Sequence, residues 1–441
     1  MNTRQLGFWM CTALVVGNTI GMGIFIQPAS LAPYGLNALT GWAAVVTGCA
    51  CLAIVLAKLS RRLPQADGPF GYVRATLGEP VAFAALWCYW ISVWVTNAAI
   101  AVAVVGYVVA VFPALKAIPA VFLGIGFMWL FIIVNLFGAR TGGRVQIATV
   151  ALKLAPLLLV MVLGSVAILS EPSTYIANLP VTPPIGLAAS MAASAIALFA
   201  MLGFESATIP AGRVTDPERT LPRATLVGTL IVAIIYIAIV VIGMLLVPQA
   251  TLAASDAPFV ILIDSLLGIG GGGRWIALFV VVSGLGALNG WTLVVGELTR
   301  TLASYRLLPE FLSQSNSHGA PGAALIVTGV FASAVALMSA NESLVAGFTF
   351  LTELIAAANL PLYLCCALGL LYLSRREPGT LGRMPWLFGI GGAAFTVFAF
   401  IGIGKEPFLW ALALSLTGLP VYFWMRHRHP RTGSAGATPP P

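Results

Sequence analysis

Four charged side chains, Lys153, Glu205, Glu297 and Glu353, stand inside runs that are otherwise apolar. Desolvation penalises a charge in such a place, and where one persists it marks a path for protons, ions or charged solutes. The stretch "GNTIGMGIF", Gly17 to Phe25, offers chemistry of another kind near the middle of the first apolar run. Gly21 and Gly23 each lower helix propensity by about 1 kcal/mol relative to alanine, so a helix can break there. The freed amides of Gly21, Met22 and Gly23 would suit a carboxylate, for the reason that helix N-termini bind anions. Small residues also serve close helix packing, which is the competing use. A similar pattern recurs in "FAMLGFESATIPAG", Phe199 to Gly212, where Gly203 stands beside Glu205 and Pro210 and Gly212 follow.

Groups for covalent catalysis are missing from the sequence. There is no HExxH, no intramembrane aspartate pair and no Ser/His arrangement. "GIGGGGR", Gly268 to Arg274, contains GxGxxG but follows no strand, and it reads as a flexible connector. Cys11, Cys49, Cys51, Cys88, Cys365 and Cys366 lie in apolar runs without metal-ligand spacing and read as small packing residues. His318 falls in a loop, and His427 and His429 fall in the tail, so neither a metal nor a cofactor is expected.

The elements that must position these groups are membrane spans. Of 441 residues, 59% are apolar and 8% charged, and the mean hydropathy is +0.99; no water-soluble domain has this composition. About twelve runs are long enough to cross a hydrocarbon core of roughly 30 Å. They cover 7–32, 38–59, 81–111, 119–138, 145–170, 187–212, 222–247, 274–303, 321–339, 343–373, 385–403 and 407–425. The connections are short, so one membrane domain is expected, and the first run is too long for a cleaved signal peptide. Of the 22 Lys and Arg residues, only Lys116, Arg274 and Lys405 fall on one side, and Lys153 falls within a span. The remainder mark the cytoplasmic side and place both termini there, in a cell membrane (the inner membrane if the source is bacterial). The net charge of +8 is thereby topological and does not argue for nucleic acid. The tail, 426–441, has the Pro, Gly and Ser content of disorder.

Two interrupted spans, one opening each half of a ten-helix core, are the signature of inverted-repeat transporters that bind substrate at the bilayer midplane. With "PQADGPFGYVRATLG", "FESATIPAGRVTDPERTLPRA" and "NGWTLVVGELTRTLASYRLLP", the first motif makes the chain resemble the amino acid, polyamine and organocation superfamily, most nearly the bacterial arginine/agmatine antiporter group. The resemblance runs from the first span to the eleventh. It implies an all-α, leucine-transporter-like fold: repeat one over about 7–170, repeat two over about 187–373 and two peripheral helices over about 385–425.

The same resemblance implies roles. Asn18, Thr19, Gly21, Met22 and Gly23 match the unwound turn that holds a substrate carboxylate, with Met22 where the arginine exchanger has a serine. Phe199, Leu202 and Gly203 match the stretch whose carbonyls hold the α-ammonium; Phe199 replaces a tryptophan that stacks on substrate, which implies a smaller cation–π surface. Asn97 and Trp291 border the pocket, and Ser92, Val93, Leu202 and Leu354 complete its wall. Glu205 matches an acidic residue near substrate that serves as a proton site. "VQIATVALKLAP" is similar to the fifth helix of sodium-independent L-type exchangers, in which a lysine ammonium, here Lys153, stands where sodium-driven cousins bind sodium. Lys153 pairing with Glu297 or Glu353 stays open, as does snorkelling of its side chain to the interface.

The expected function is sodium-independent secondary transport by alternating access, exchanging a cationic amino acid for a related amine or amino acid and linked to protons through Lys153 and Glu205. Met22, Phe199 and Lys153 pull toward the alternative, a permease or exchanger of neutral amino acids. A non-transporting sensor or a channel on the same scaffold is the reading of another class. The expected partners are a small-molecule substrate and the lipid bilayer, with a homodimer left open.

Overall fold

The structure is a computed structural model that describes residues 7–63, 66, 68–137, 139–180, 183–203, 217–268, 271–377 and 384–428. Helices account for all the regular structure among them. In order they are α1 (Phe8–Thr19), α2 (Gly23–Leu31), α3 (Asn37–Arg62), α4 (Gly68–Leu77), α5 (Glu79–Val111), α6 (Ala120–Leu136), α7 (Ala139–Ser170), α8 (Pro172–Ile176) and α9 (Leu187–Met201). The second half adds α10 (Pro217–Leu246), α11 (Gln249–Ala253), α12 (Pro258–Leu267), α13 (Gly273–Ser304), α14 (Gly322–Met338), α15 (Leu344–Arg376), α16 (Pro385–Gly402), α17 (Lys405–Leu416) and α18 (Gly418–Arg428).

Eight of the described helical stretches are long and apolar enough to cross a membrane, and shorter apolar helices accompany them. The expected spans coincide with helices almost end to end, except the sixth, 187–212, where α9 ends at Met201 and residues 204–212 lie outside the described ones. The first divides into α1 and α2, and the last into α17 and α18. α18 runs to Arg428, three residues into the stretch expected to be a disordered tail; residues 429–441 lie outside the described ones.

α5 forms the spine. Its 33 residues carry no polar stripe, and its most apolar window is 89% buried, as expected of a helix enclosed on all sides. It packs against α4, α6, α13, α14 and α15. α13 and α7 pair on one flank, α3, α9 and α10 on the other, and α15 carries α16 and α17.

Loop chemistry fixes the helix ends. The "GIGGGGR" connector is not free: Asp264 Oδ1 accepts the amides of Gly271 (3.2 Å) and Gly273 (2.7 Å), capping the start of α13. Asn37, fully buried at the start of α3, donates to Tyr34 O (3.0 Å) and Pro184 O (3.1 Å) and accepts from Gly186 N (2.8 Å), tying that end to the approach of α9.

Candidate functional site

The first span breaks where its glycines lie. α1 ends at Thr19, Ile20 turns extended (φ −71°, ψ 97°), and α2 resumes at Gly23. The gap is bridged from α10. The buried Tyr236 hydroxyl donates to Thr19 O at 3.0 Å. A phenol buried in a membrane helix needs a partner, and here it takes the carbonyl at the end of α1. The lone tyrosine in the aliphatic run of α10 was the signal for this residue, and sequence reasoning missed it. Tyr236→Phe should leave the Thr19 carbonyl without this donor at a cost of about 1–3 kcal/mol, read as a lower melting temperature of the purified protein. A variant that melts with the wild type would show that the hydroxyl does not hold the break.

Met22, the last residue of the gap, turns away from it. A Cβ built on Gly284 of α13 would meet the Met22 sulfur at 2.8 Å and Val104 of α5 at 2.4 Å, so the thioether fills the seam between those helices and is 1% exposed. An adaptable unbranched side chain suits such a seam, and it pins the start of α2 to the spine.

The second break begins after Met201. Leu202 is extended (ψ 142°) and Gly203 takes φ +104°, a conformation that excludes most side chains. Glu205 and the rest of the segment to 216 lie outside the described residues. The two breaks meet through Phe199. Its ring lies 3.0 Å from where a Cβ on Gly23 would stand, and its edge faces Phe348 of α15 with centroids 5.7 Å apart. Gln27, fully buried in α2, donates to Ile196 O (3.0 Å) and Ala197 O (3.4 Å) of α9. Tyr107 of α5 donates to Phe25 O at 2.6 Å and accepts from Phe259 N at 3.2 Å. All nine residues of α2 are buried. α1, in contrast, exposes Trp9 and Met10 and packs extensively on α10 alone among the described elements. The half of the first span beyond the break is clamped; the half before it is held on one side.

The wall residues divide into two groups. Asn97 is buried, about 10 Å along α5 from the Met22 contact, with Thr292 Oγ1 of α13 at 3.3 Å. Trp291, the neighbour of Thr292, is half-buried. The Ser92 hydroxyl is committed: it donates to Tyr89 O at 2.7 Å and accepts from Asn359 Nδ2 at 3.1 Å. Val93, Leu202 and Leu354 are buried apolar packing. Thr19 is buried with its hydroxyl unpartnered.

Lys153 is 3% exposed, so its side chain does not snorkel to an interface. Its helix, α7, packs against α13, α10, α12 and α6. Neither open carboxylate partner serves it. Glu297 pairs with Arg300 of its own helix at 2.6 Å, and Glu353 accepts the Gly404 amide at 3.1 Å. A helix carries its side chains around its axis, so shared membership of the core does not make two charges neighbours.

Helices long and apolar enough to span a membrane, one of them interrupted at Ile20–Met22 and tied by an aromatic ring to the end of α9, are the architecture of a membrane transporter. The chain belongs to the amino acid permease family, which matches residues 6–421. Among curated proteins it is similar to the cadaverine/lysine antiporter of Escherichia coli K12, 28% identical over 342 residues, which are 76% of this chain and 75% of the relative. It is also similar to the putrescine transporter PotE of Haemophilus influenzae, 26% identical over 438 residues covering 97% of this chain and 98% of that protein. PotE of Escherichia coli K12 is 26% identical over 436 residues, with 97% and 99% covered. By its family the protein is a multi-pass membrane transporter and not an enzyme.

Proposed function

We propose that the protein exchanges a cationic amino acid for a related amine by alternating access, without sodium. The observation that carries this reading is the meeting of the two helix breaks, with the Phe199 ring laid on Gly23. Substrate carboxylate is held by the amides of Gly21 to Gly23 and its α-ammonium by carbonyls around Phe199 to Gly203, while Asn97 and Trp291 border the side chain. Asn18, Ser92, Val93 and Leu354 shape the remaining wall. Lys153 supplies a fixed cation beside the scaffold, and Glu205 carries the proton. The first five spans and the next five form the two repeats, both termini are cytoplasmic, and the membrane is a bacterial inner membrane. α1 is the half that swings, because among the described elements it packs extensively on α10 alone, while α2 stays clamped.

Support for a cationic substrate comes from the relatives, named for cadaverine, lysine and putrescine. A neutral amino acid is the second reading, favoured by Met22 being withdrawn into the α5–α13 seam and by the modest aromatic surface of Phe199. Counterflow decides between transport and sensing. Proteoliposomes loaded with unlabelled lysine should accumulate labelled lysine or cadaverine above equilibrium in sodium-free buffer. A channel would leak without accumulation, a sensor would do neither, and a strict need for sodium would refute the role given to Lys153.

A further inference from the structure

The arginines that close α3 and α15 lie at neighbouring helix ends. Arg61 and Arg62 fall in the last turn of α3 and Arg375 and Arg376 in the last turn of α15, and Arg62 meets Glu377 at 2.6 Å. That contact engages the carboxylate that follows Arg376. α15 also carries an outward stripe: Leu368, Tyr372 and Arg376 are spaced four apart, Arg375 borders them, and all four are exposed. The Arg376 guanidinium lies over the Tyr372 ring, 5.3 Å from its centroid, so it folds back along the helix toward the apolar stripe. α16 supplies the facing wall. A Cβ on Gly389 would stand 2.7 Å from the Leu371 side chain, and one on Gly392 3.6 Å from Ala367 Cβ. The two helices therefore run antiparallel, with Trp386 level with the last turn of α15. Trp386 and Ile390, one turn apart, are exposed. The seam thus has a basic head, an aromatic collar and an apolar groove.

We propose that the seam between α15 and α16 binds an anionic phospholipid of the cytoplasmic leaflet. Its phosphate lies between Arg375 and Arg376, an acyl chain follows Leu368, Tyr372 and Ile390, and Trp386 stands at headgroup level. Guanidinium forks match phosphate oxygens, and a tryptophan suits the boundary between headgroup and hydrocarbon. Arginines clustered at the cytoplasmic end of a span favour anionic lipids over zwitterionic ones, and Arg61 and Arg62 add to the positive potential there. The inference goes beyond the transport reading and rests on it only for placing this end of α15 at the cytoplasmic face.

The test is thermal-shift titration of the full-length protein in detergent micelles, which have no sides, so its outcome does not depend on topology or on substrate. Dihexanoyl phosphatidylglycerol should stabilise the wild type at lower concentration than dihexanoyl phosphatidylcholine. An arginine beside an anionic headgroup contributes roughly fivefold in affinity, so Arg375→Gln combined with Arg376→Gln should weaken phosphatidylglycerol about 25-fold and leave phosphatidylcholine unchanged. Lysine at both positions keeps the charge and should keep the preference. Arg426→Gln, at the exposed end of α18, should keep it too, and Trp386→Ala should weaken both lipids. A double glutamine variant that retains the preference, or an Arg426→Gln variant that loses as much of it, overturns the proposal. So does glycerol phosphate stabilising as well as phosphatidylglycerol, which would make the ligand a free phosphate. Stabilisation that rises with protein concentration and ignores lipid would give the face to a second copy of the chain, and overturns it as well.

Discussion

Replacing Lys153 by methionine should lower exchange on the order of 100-fold while the protein still folds. Methionine keeps the length and apolar stem of the side chain, so the packing of α7 against α13 and α10 is preserved. What disappears is an ammonium enclosed in the bundle at 3% exposure. At roughly 1.4 kcal/mol per tenfold, that loss of exchange corresponds to about 2.8 kcal/mol, the worth expected of the fixed cation in the proposed cycle. The measurement is labelled uptake into proteoliposomes at matched protein, with and without sodium. Methionine at this position with wild-type exchange would make Lys153 a bystander.

Gly23→Val should abolish substrate binding, by about 100-fold or more, with less effect on folding. A Cβ at position 23 would stand 3.0 and 3.1 Å from two carbons of the Phe199 ring and 3.5 Å from Ala200 Cβ. Alanine asks the ring to give by a few tenths of an ångström. Valine adds two methyl groups with little choice of χ1, and the ring must leave both Gly23 and Phe348. Overpacking of this kind costs roughly 1–3 kcal/mol or more, borne by the contact that joins the two breaks. Titrating purified wild type, Gly23→Ala and Gly23→Val with lysine and cadaverine checks the order: a small loss for alanine, a large one for valine. Equal affinity for all three would remove Phe199 from the site.

The break of the first span and the turn at Gly203 were legible because they arise locally. Glycine at 21 and 23 weakens a helix wherever that helix packs, and Gly203 permits a positive φ whatever surrounds it. Span positions were legible for the same reason, since length and apolar content decide which segments cross a bilayer. The partners were not legible. Glu297 and Glu353 look alike as isolated carboxylates in apolar runs, yet one binds Arg300 three residues on and the other the Gly404 amide in a turn between helices. Asp264 turned an apparently loose glycine connector into a capped helix start through contacts seven and nine residues away.

The sequence by itself determined that this chain is a set of membrane helices and that the first of them breaks at its glycines, because each follows from a residue's own neighbours. Only the tertiary structure decided that Tyr236 closes the first break, that Met22 turns into the α5–α13 seam and that Phe199 lies on Gly23. It likewise placed Thr292 against Asn97. Those contacts join residues far apart in the chain. A helix such as α5, apolar all round, carries no periodic stripe from which its facing partners could be read; packing of the whole bundle selects them.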